Sequence, residues 1–418
     1  MRHWVWEDEA LTIGRTRRAI VIGGSMGGLL AGLLLMRRGW EAAVYERSPV
    51  PMAGRGAGIV THPELRDALA AAGAAVGEDL GVAIDTRITL DRTGAVIGEH
   101  PCPQIATSWN KLFQMLRDAF PSDRYHLGKE LAGIEQTAIG VSARFADGAA
   151  AEGDLLIGAD GFRSTVRGRF LPDVQPVYAG YVAWRGLVAE SALPPDLRRA
   201  VFPTFAFCLP PGEQMLGYPV AGPDNDLRPG RRFYNLVWYR PADERADLPR
   251  LLTDDAGRTH AVSIPPPLIA QSVVAEMRAH AEAVLAPQFR AMLRLSEQPF
   301  LQPIYDLESP RMAIGRVALM GDAAFVARPH VGAGVAKAAA DAVALAEALD
   351  AHPEVEAALR AFEAARIGEG RRIVERARHL GAYMRTRFDT VEERALAERH
   401  QSPRAVMRET ALLDFLHA

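Results

Sequence analysis

The sequence predicts an α/β fold in two parts, and three features carry that prediction. A short β-branched run, Ala19–Ile22, breaks into glycines and gives way to a Leu/Ala-rich helical stretch. Two more apolar strand-like runs, far downstream, end in Ala159-Asp160-Gly161 and in Gly321-Asp322. Between those two, "YVAWRGLV", "TFAFCLPPGEQMLGYPV" and "RRFYNLVWYRP" alternate in the manner of a second sheet. A chain of 418 residues is long for one hydrophobic core, so two lobes, or one lobe with a large insertion, fit its size.

The first element is strand, turn, helix, strand and acid within about 30 residues, the context a dinucleotide-binding turn requires. The turn reads Gly23-Gly24-Ser25-Met26-Gly27-Gly28. Gly23 permits a tight exit from the strand, and Gly28 lets the helix lie close to the sheet. Free N–H groups at the helix start offer positive charge to a pyrophosphate. Glu46 ends the second strand, where a carboxylate can accept ribose hydroxyls. Ser25 replaces the middle glycine and brings a hydroxyl of its own. A membrane helix over Ile20–Met36 is the competing reading. The glycines after the strand and Gly39 at the helix end argue against it. This much fits a Rossmann-like unit or an incidental strand–turn–helix, and the rest of the chain has to decide between them.

Composition narrows the function classes. A net charge of −3 gives no electrostatic reason for a nucleic-acid partner. The two cysteines, Cys102 and Cys208, form no CxxC or Cys/His ligand spacing, so no metal site is expected and a reducing, cytoplasmic location is. Residues 1–17 hold acids and no apolar run, and read as a tail rather than a secretory signal.

The second motif is "DLLIGADGFRSTVR", Asp154–Arg167. The third is "RVALMGDAAFVARPHVGAGVAKAAADAVALAEAL", Arg316–Leu349. The three motifs, in this order and spacing over most of residues 18–350, resemble the single-component FAD-dependent aromatic monooxygenases of the hydroxybenzoate-hydroxylase-like class. "GGSMGG", "YERSP" and "GAGIVTHPEL" are similar to a dihydroxypyridine-hydroxylating branch of that class, in which the serine-containing turn recurs. The resemblance implies a discontinuous FAD-binding domain over 18–178 and 296–375, an inserted β-sheet substrate domain over 179–295, and C-terminal helices over 376–418. Those helices would clamp the FAD lobe or pack on a second subunit in a homodimer.

It implies bound, non-covalent FAD, NADH or NADPH as reductant, and O2 as co-substrate. A C4a-hydroperoxyflavin would hydroxylate an electron-rich ring, a hydroxypyridine-type heterocycle or a phenol. The cofactor residues carried over are Gly23, Ser25, Gly27, Gly28, Glu46 and Arg47 in the first motif, Asp160 and Gly161 in the second, and Gly321, Asp322, Gly332 and Gly334 in the third. Arg55 is expected near the pyrophosphate or the flavin ring. The helix starting near Gly334 would aim its N-terminal dipole at the flavin. The chain departs from the class pattern at Trp109, where an arginine is usual, and at Phe325 and Arg328.

Reaction at such a site needs a dry pocket. Tyr218 and Trp238 are candidates to line it, or are core aromatics. Arg328 is a candidate to hold an anionic substrate. His330 sits in the Gly/Pro loop that should face the ring; with an ordinary pKa near neutrality it is the candidate base for a ring hydroxyl. A reductase or halogenase on the same scaffold, or a non-catalytic FAD-binding redox sensor, are the alternatives. No WxWxIP-type segment, expected of a halogenase, is present.

Overall fold

A computed structural model describes residues 16–52, 58–384, 388 and 390–417. Most of the N-terminal tail, and Arg55, lie outside the described residues. The first sheet has six strands in the order β16 (Ala313–Ile314), β17 (Val317–Leu319), β10 (Leu155–Gly158), β1 (Arg18–Ile22), β2 (Glu41–Tyr45) and β6 (Tyr125–His126). All its neighbours pair in parallel except the β16–β17 hairpin. Strands β1, β10 and β17 are buried on both faces, which is why their sequences are continuous apolar runs instead of alternating ones.

The helix Met26–Met36 packs on the helix Gly334–Ala351, which packs in turn on Val355–Leu380. Nearly every residue of Met26–Met36 is buried in this way. Its apolarity therefore serves the core. Among the described residues no helix is long and apolar enough to cross a membrane.

The second sheet has nine strands. In order they are β18 (Phe325–Val326), β15 (Phe300–Glu308), β11 (Val177–Ala189), β14 (Phe233–Pro241), β13 (Gln214–Val220), β12 (Thr204–Cys208), β4 (Val82–Leu90), β5 (Val96–Ser108) and β3 (Gly58–Val60). The three segments read as strands in the middle of the chain lie side by side as β11, β14 and β13–β12. The sheet does not stop at the boundaries expected for an insertion over 179–295. It also recruits β3, β4 and β5 from before that segment and β15 and β18 from after it. The reason is the parallel pairing of β12 with β4, in which Thr204 faces Thr86. So distant a pairing leaves no local signature in either strand. A small third sheet, β7 (Leu131–Gln136), β8 (Val141–Phe145) and β9 (Ala150–Gly153), flanks the first.

The nine-stranded sheet has two unlike faces, because successive side chains alternate across a strand. On one face Trp184, Met215 and Trp238 pack under the helices Gln271–Val284 and Pro287–Leu295. On the other, Tyr181, Phe205, Leu216, Tyr218, Val237 and Tyr239 face the remainder of the molecule. Ala397, Val406, Met407 and Ala411 of the C-terminal segment pack into this second cluster.

Candidate active site

The first turn is shaped by contacts that exclude side chains. Gly23 has φ +106°, and a Cβ there would lie 2.4 Å from the Ala159 carbonyl oxygen. A Cβ on Gly28 would lie 2.0 Å from the Gly23 carbonyl oxygen. Gly27 is less constrained, its nearest neighbour for a Cβ being Ala338 at 3.5 Å. Ser25 caps the helix Met26–Met36 in an extended conformation, and its side chain makes no capping hydrogen bond. The hydroxyl and the first-turn amides are thus left without intrahelical partners. Glu46 is buried and accepts from the Gly24 and Ser48 amides, both at 2.8 Å. It fixes the turn against β2, and each carboxylate oxygen keeps a second lone pair for a ribose hydroxyl. The Tyr125 hydroxyl donates to the Gly24 carbonyl at 2.8 Å.

A cavity of about 860 Å³ opens between the carboxyl ends of the parallel strands and the inner face of the nine-stranded sheet. That is where open α/β sheets bind ligands. Arg47, Trp109, Asp160 and Gly161 line one end, and Asp322, Gly332 and Gly334 line its floor. Asp160 Oδ2 accepts from the amides of Thr165 and Val166, capping the helix Thr165–Phe170; its other oxygen, Oδ1, is buried without a partner. Asp322 is half exposed to the cavity, with Lys337 Nζ 3.7 Å from Oδ1. The Gly321 amide donates to Asp341 Oδ2, and Asp341 is held by Arg366 at 2.8 Å. The 18-residue helix Gly334–Ala351 begins at the cavity with no side-chain cap, so its positive end faces the space.

The opposite wall differs from the sequence-based expectation. Tyr218 lines the cavity, but Trp238 does not. Trp238 lies on the other face, where its Nε1 donates to Glu213 Oε2 at 2.9 Å. Register explains this. Met215 and Trp184 both sit opposite Trp238, whereas Gln214 sits opposite Tyr239 and Leu216 opposite Val237. Residues 237 and 239 therefore share the face of Tyr218, and it is Tyr239 that reaches the cavity.

His330 lines the cavity but is fully buried. Its Nε2 lies 2.9 Å from the Tyr181 hydroxyl and its Nδ1 lies 3.0 Å from Gln214 Oε1. The pattern assigns the proton to Nδ1 and the Nε2 lone pair to the tyrosine. Burial, then the charges of Arg328 and Arg185, push its pKa down to about 3. The Nε2 lone pair is engaged by the Tyr181 hydroxyl, so a base role toward a ring hydroxyl would have to displace that bond. What the structure shows is a positioning contact: His330 ties the Gly/Pro loop to the sheet. Arg328 is also committed inside the protein, its Nε 2.7 Å from Asp306 Oδ2. Its charge is therefore neutralised at the cavity wall.

Sequence reasoning missed Arg185. It lines the cavity on β11, and no carboxylate pairs with it among the described residues. A lone arginine two residues from Ala183 in an otherwise apolar strand was the available signal. It also missed the C-terminal segment's part. Thr410 and Ala411 line the cavity, and the Ala411 amide donates to the His330 carbonyl at 2.8 Å. Fully buried Arg87 on β4 holds that segment, donating to the Met407 and Thr410 carbonyls at 2.7 and 2.8 Å.

A glycine turn, a ribose-competent acid, an aspartate at a second Gly-Asp turn and an uncapped helix end together define a flavin-nucleotide cradle. Residues 178–306 match a family described as FAD binding domain-like, and residues 306–377 match the FAD binding domain family. The chain belongs to the FAD-dependent monooxygenases that act on aromatic substrates. It is similar to 2,6-dihydroxypyridine 3-monooxygenase of Paenarthrobacter nicotinovorans, with 34% identity across 88% of this chain and 93% of that one. It is 31% identical to 3-amino-4-hydroxybenzoate 2-monooxygenase of Streptomyces cremeus, across 88% of each. The solved 2,6-dihydroxypyridine-3-hydroxylase from Arthrobacter nicotinovorans superposes with a TM-score of 0.83 at 32% identity, covering 91% of this chain and 96% of that one.

Proposed function

We propose that this chain hydroxylates an electron-rich aromatic ring, a hydroxypyridine-type heterocycle or a phenol, using NADH or NADPH and O2. The observation that supports this most is the meeting of two surfaces across one cavity: an aromatic sheet face and the open end of the helix Gly334–Ala351. Bound FAD supplies the redox chemistry, accepting hydride from the nicotinamide and activating O2.

The chain's own residues supply placement. The Gly23–Gly28 turn and Ser25 receive the pyrophosphate, Glu46 the adenosine ribose, and Asp322 the ribityl hydroxyls. The uncapped start of the helix at Gly334 would favour negative charge on a flavin ring held beside it. Phe205, Leu216, Tyr218, Val237 and Tyr239 make the dry wall against which a planar ring lies. Trp109 in place of a cationic residue, stacked on Phe113 at 4.8 Å between centroids, closes the nucleotide end with an aromatic surface.

The test is direct. The purified protein should be yellow. A panel of hydroxypyridines and phenols should include at least one member that raises NADH or NADPH oxidation at least tenfold and emerges hydroxylated. Bound flavin with no response to any member would reject the hydroxylase reading and leave a redox-sensing one.

A further inference from the structure

We infer that Arg185 is the specificity-determining residue of the cavity, and that it selects an aromatic ligand carrying an ionised ring oxygen. The inference rests on the aromatic-substrate reading above and adds the charge state of what is bound.

Arg185 projects from β11 into the cavity between strands β14 and β15, opposite Val237 and Phe300. Its Nε is buried and has no hydrogen-bond partner. Among the described residues the one side-chain partner of Arg185 is the neutral Tyr239 hydroxyl, and the neighbouring groups are engaged elsewhere in whole or in part. Arg328, on the neighbouring loop, is paired with Asp306 of β15. His330 is neutral, with both ring nitrogens bonded to Tyr181 and Gln214. Tyr239, beside the guanidinium, is pushed up to about 12 by burial, and Arg185 only partly offsets that. Tyr218 is likewise raised by burial against the same charge. Both phenols therefore stay protonated and can donate. The result is a cation and two hydroxyl donors converging on one apolar space, with no anion of the protein to satisfy them.

A neutral apolar ring placed there would further desolvate a half-buried guanidinium that has no counter-charge among the described residues, which is costly. A ring with an ionised oxygen supplies the missing acceptor and charge. Its proton is released to solvent when the anion forms, so no protein base is required at the site. This resolves the difficulty left by His330. The ring arrives activated as its anion, and the more electron-rich anion is the better partner for an electrophilic oxygen. Tyr218 and Tyr239 line the same space and can donate to the same anionic oxygen; a ring oxygen and a carboxylate are separated by the benzoate arm of the experiment.

The experiment uses the flavin-loaded protein and three probes: 4-nitrophenol, benzoate and nitrobenzene. Difference spectra report whether bound 4-nitrophenol is in its coloured phenolate form. In wild type the bound probe should be phenolate at pH values where the free probe is neutral, with its apparent pKa lowered by about one unit, equal to about tenfold tighter binding of the anion. Arg185→Gln should weaken 4-nitrophenol binding by about tenfold and abolish the spectral shift, while nitrobenzene binding stays within about twofold. Arg185→Lys should keep part of the preference, since it keeps the charge without the fork. Binding of 4-nitrophenol by wild type in its neutral form would overturn the inference, even if Arg185→Gln failed to fold. Arg185 dependence confined to benzoate would overturn it as well. An enzyme that hydroxylates a ring yet binds 4-nitrophenol neutral would lose this inference and keep the hydroxylase reading. One that binds the phenolate and hydroxylates nothing would do the reverse.

Discussion

The glycine turn and the ring end of the cavity are built by different means. The turn is made of backbone: Gly23 and Gly28 sit where no Cβ fits, and helix ends supply the charge. The ring end is made of side chains on one face of a sheet assembled from distant parts of the chain. A backbone site depends on residue types at fixed short spacings. A side-chain site depends on register and long-range pairing. The first tolerates no added side chain at Gly23 or Gly28, whereas the second changes its chemistry one side chain at a time without losing the fold.

The largest effect should come from breaking the backbone end. Gly28→Ala puts a Cβ 2.0 Å from the Gly23 carbonyl oxygen, so the helix must move off the turn. Flavin content per folded protein should fall at least tenfold, read from visible absorbance. Retention of full flavin would mean that the turn does not hold the nucleotide. Asp322→Ala should weaken FAD by about tenfold, less than the glycine change, because it removes hydrogen bonds without moving backbone. Dialysis against FAD would show it.

At the ring end, two aromatic substitutions should separate cleanly. Trp238→Ala empties a fully buried site on the far face and should cost about 3–5 kcal/mol of stability. Tyr218→Phe removes one donor from the cavity wall and should raise the substrate KM about fivefold with little change in thermal midpoint. A larger KM effect from Trp238→Ala than from Tyr218→Phe would reverse the face assignment.

A smaller effect concerns His330. Its folded pKa is depressed, so the unfolded chain takes up a proton at higher pH than the folded one does. The stability it contributes is complete above the ordinary histidine value of about 6.5 and is lost as pH falls from there toward about 3. Thermal midpoints of wild type should drop over this window, and His330→Gln should flatten that part of the profile. Identical profiles would mean that His330 is not held neutral. Smallest of all, Ser25→Gly should weaken FAD by no more than about threefold, the effect of one hydroxyl that makes no capping bond inside the protein.

The contrast also explains what was legible in advance. The strand–turn–helix around Gly23 and the acid at Glu46 follow from local chemistry, and in the structure they hold each other, the Gly24 amide donating to Glu46; of the third motif, Asp322, Gly332 and Gly334 line the cavity. Of the two readings open for Trp238, pocket or core, the core one holds; alternation gives two faces and does not say which is inward, and only pairing with Trp184 and Met215 decides. The limits of the second sheet were misjudged because the parallel partner of β12 lies in a segment read as part of the first lobe. His330 was given a neutral-range pKa because burial by Tyr181, Tyr239 and Gln214 is a tertiary fact. The clamp from Arg87 to the C-terminal segment joins residues more than 300 positions apart and had no local mark.

The measurement that bears most directly on the whole account is oxygen incorporation. The flavin-loaded protein would be supplied with NADH or NADPH, 2,6-dihydroxypyridine and isotopically heavy O2, and the products weighed by mass spectrometry. The expected product is a hydroxylated ring that carries one heavy oxygen atom, formed in step with nicotinamide oxidation. Nicotinamide oxidation that yields only hydrogen peroxide across the whole hydroxypyridine and phenol panel would contradict it.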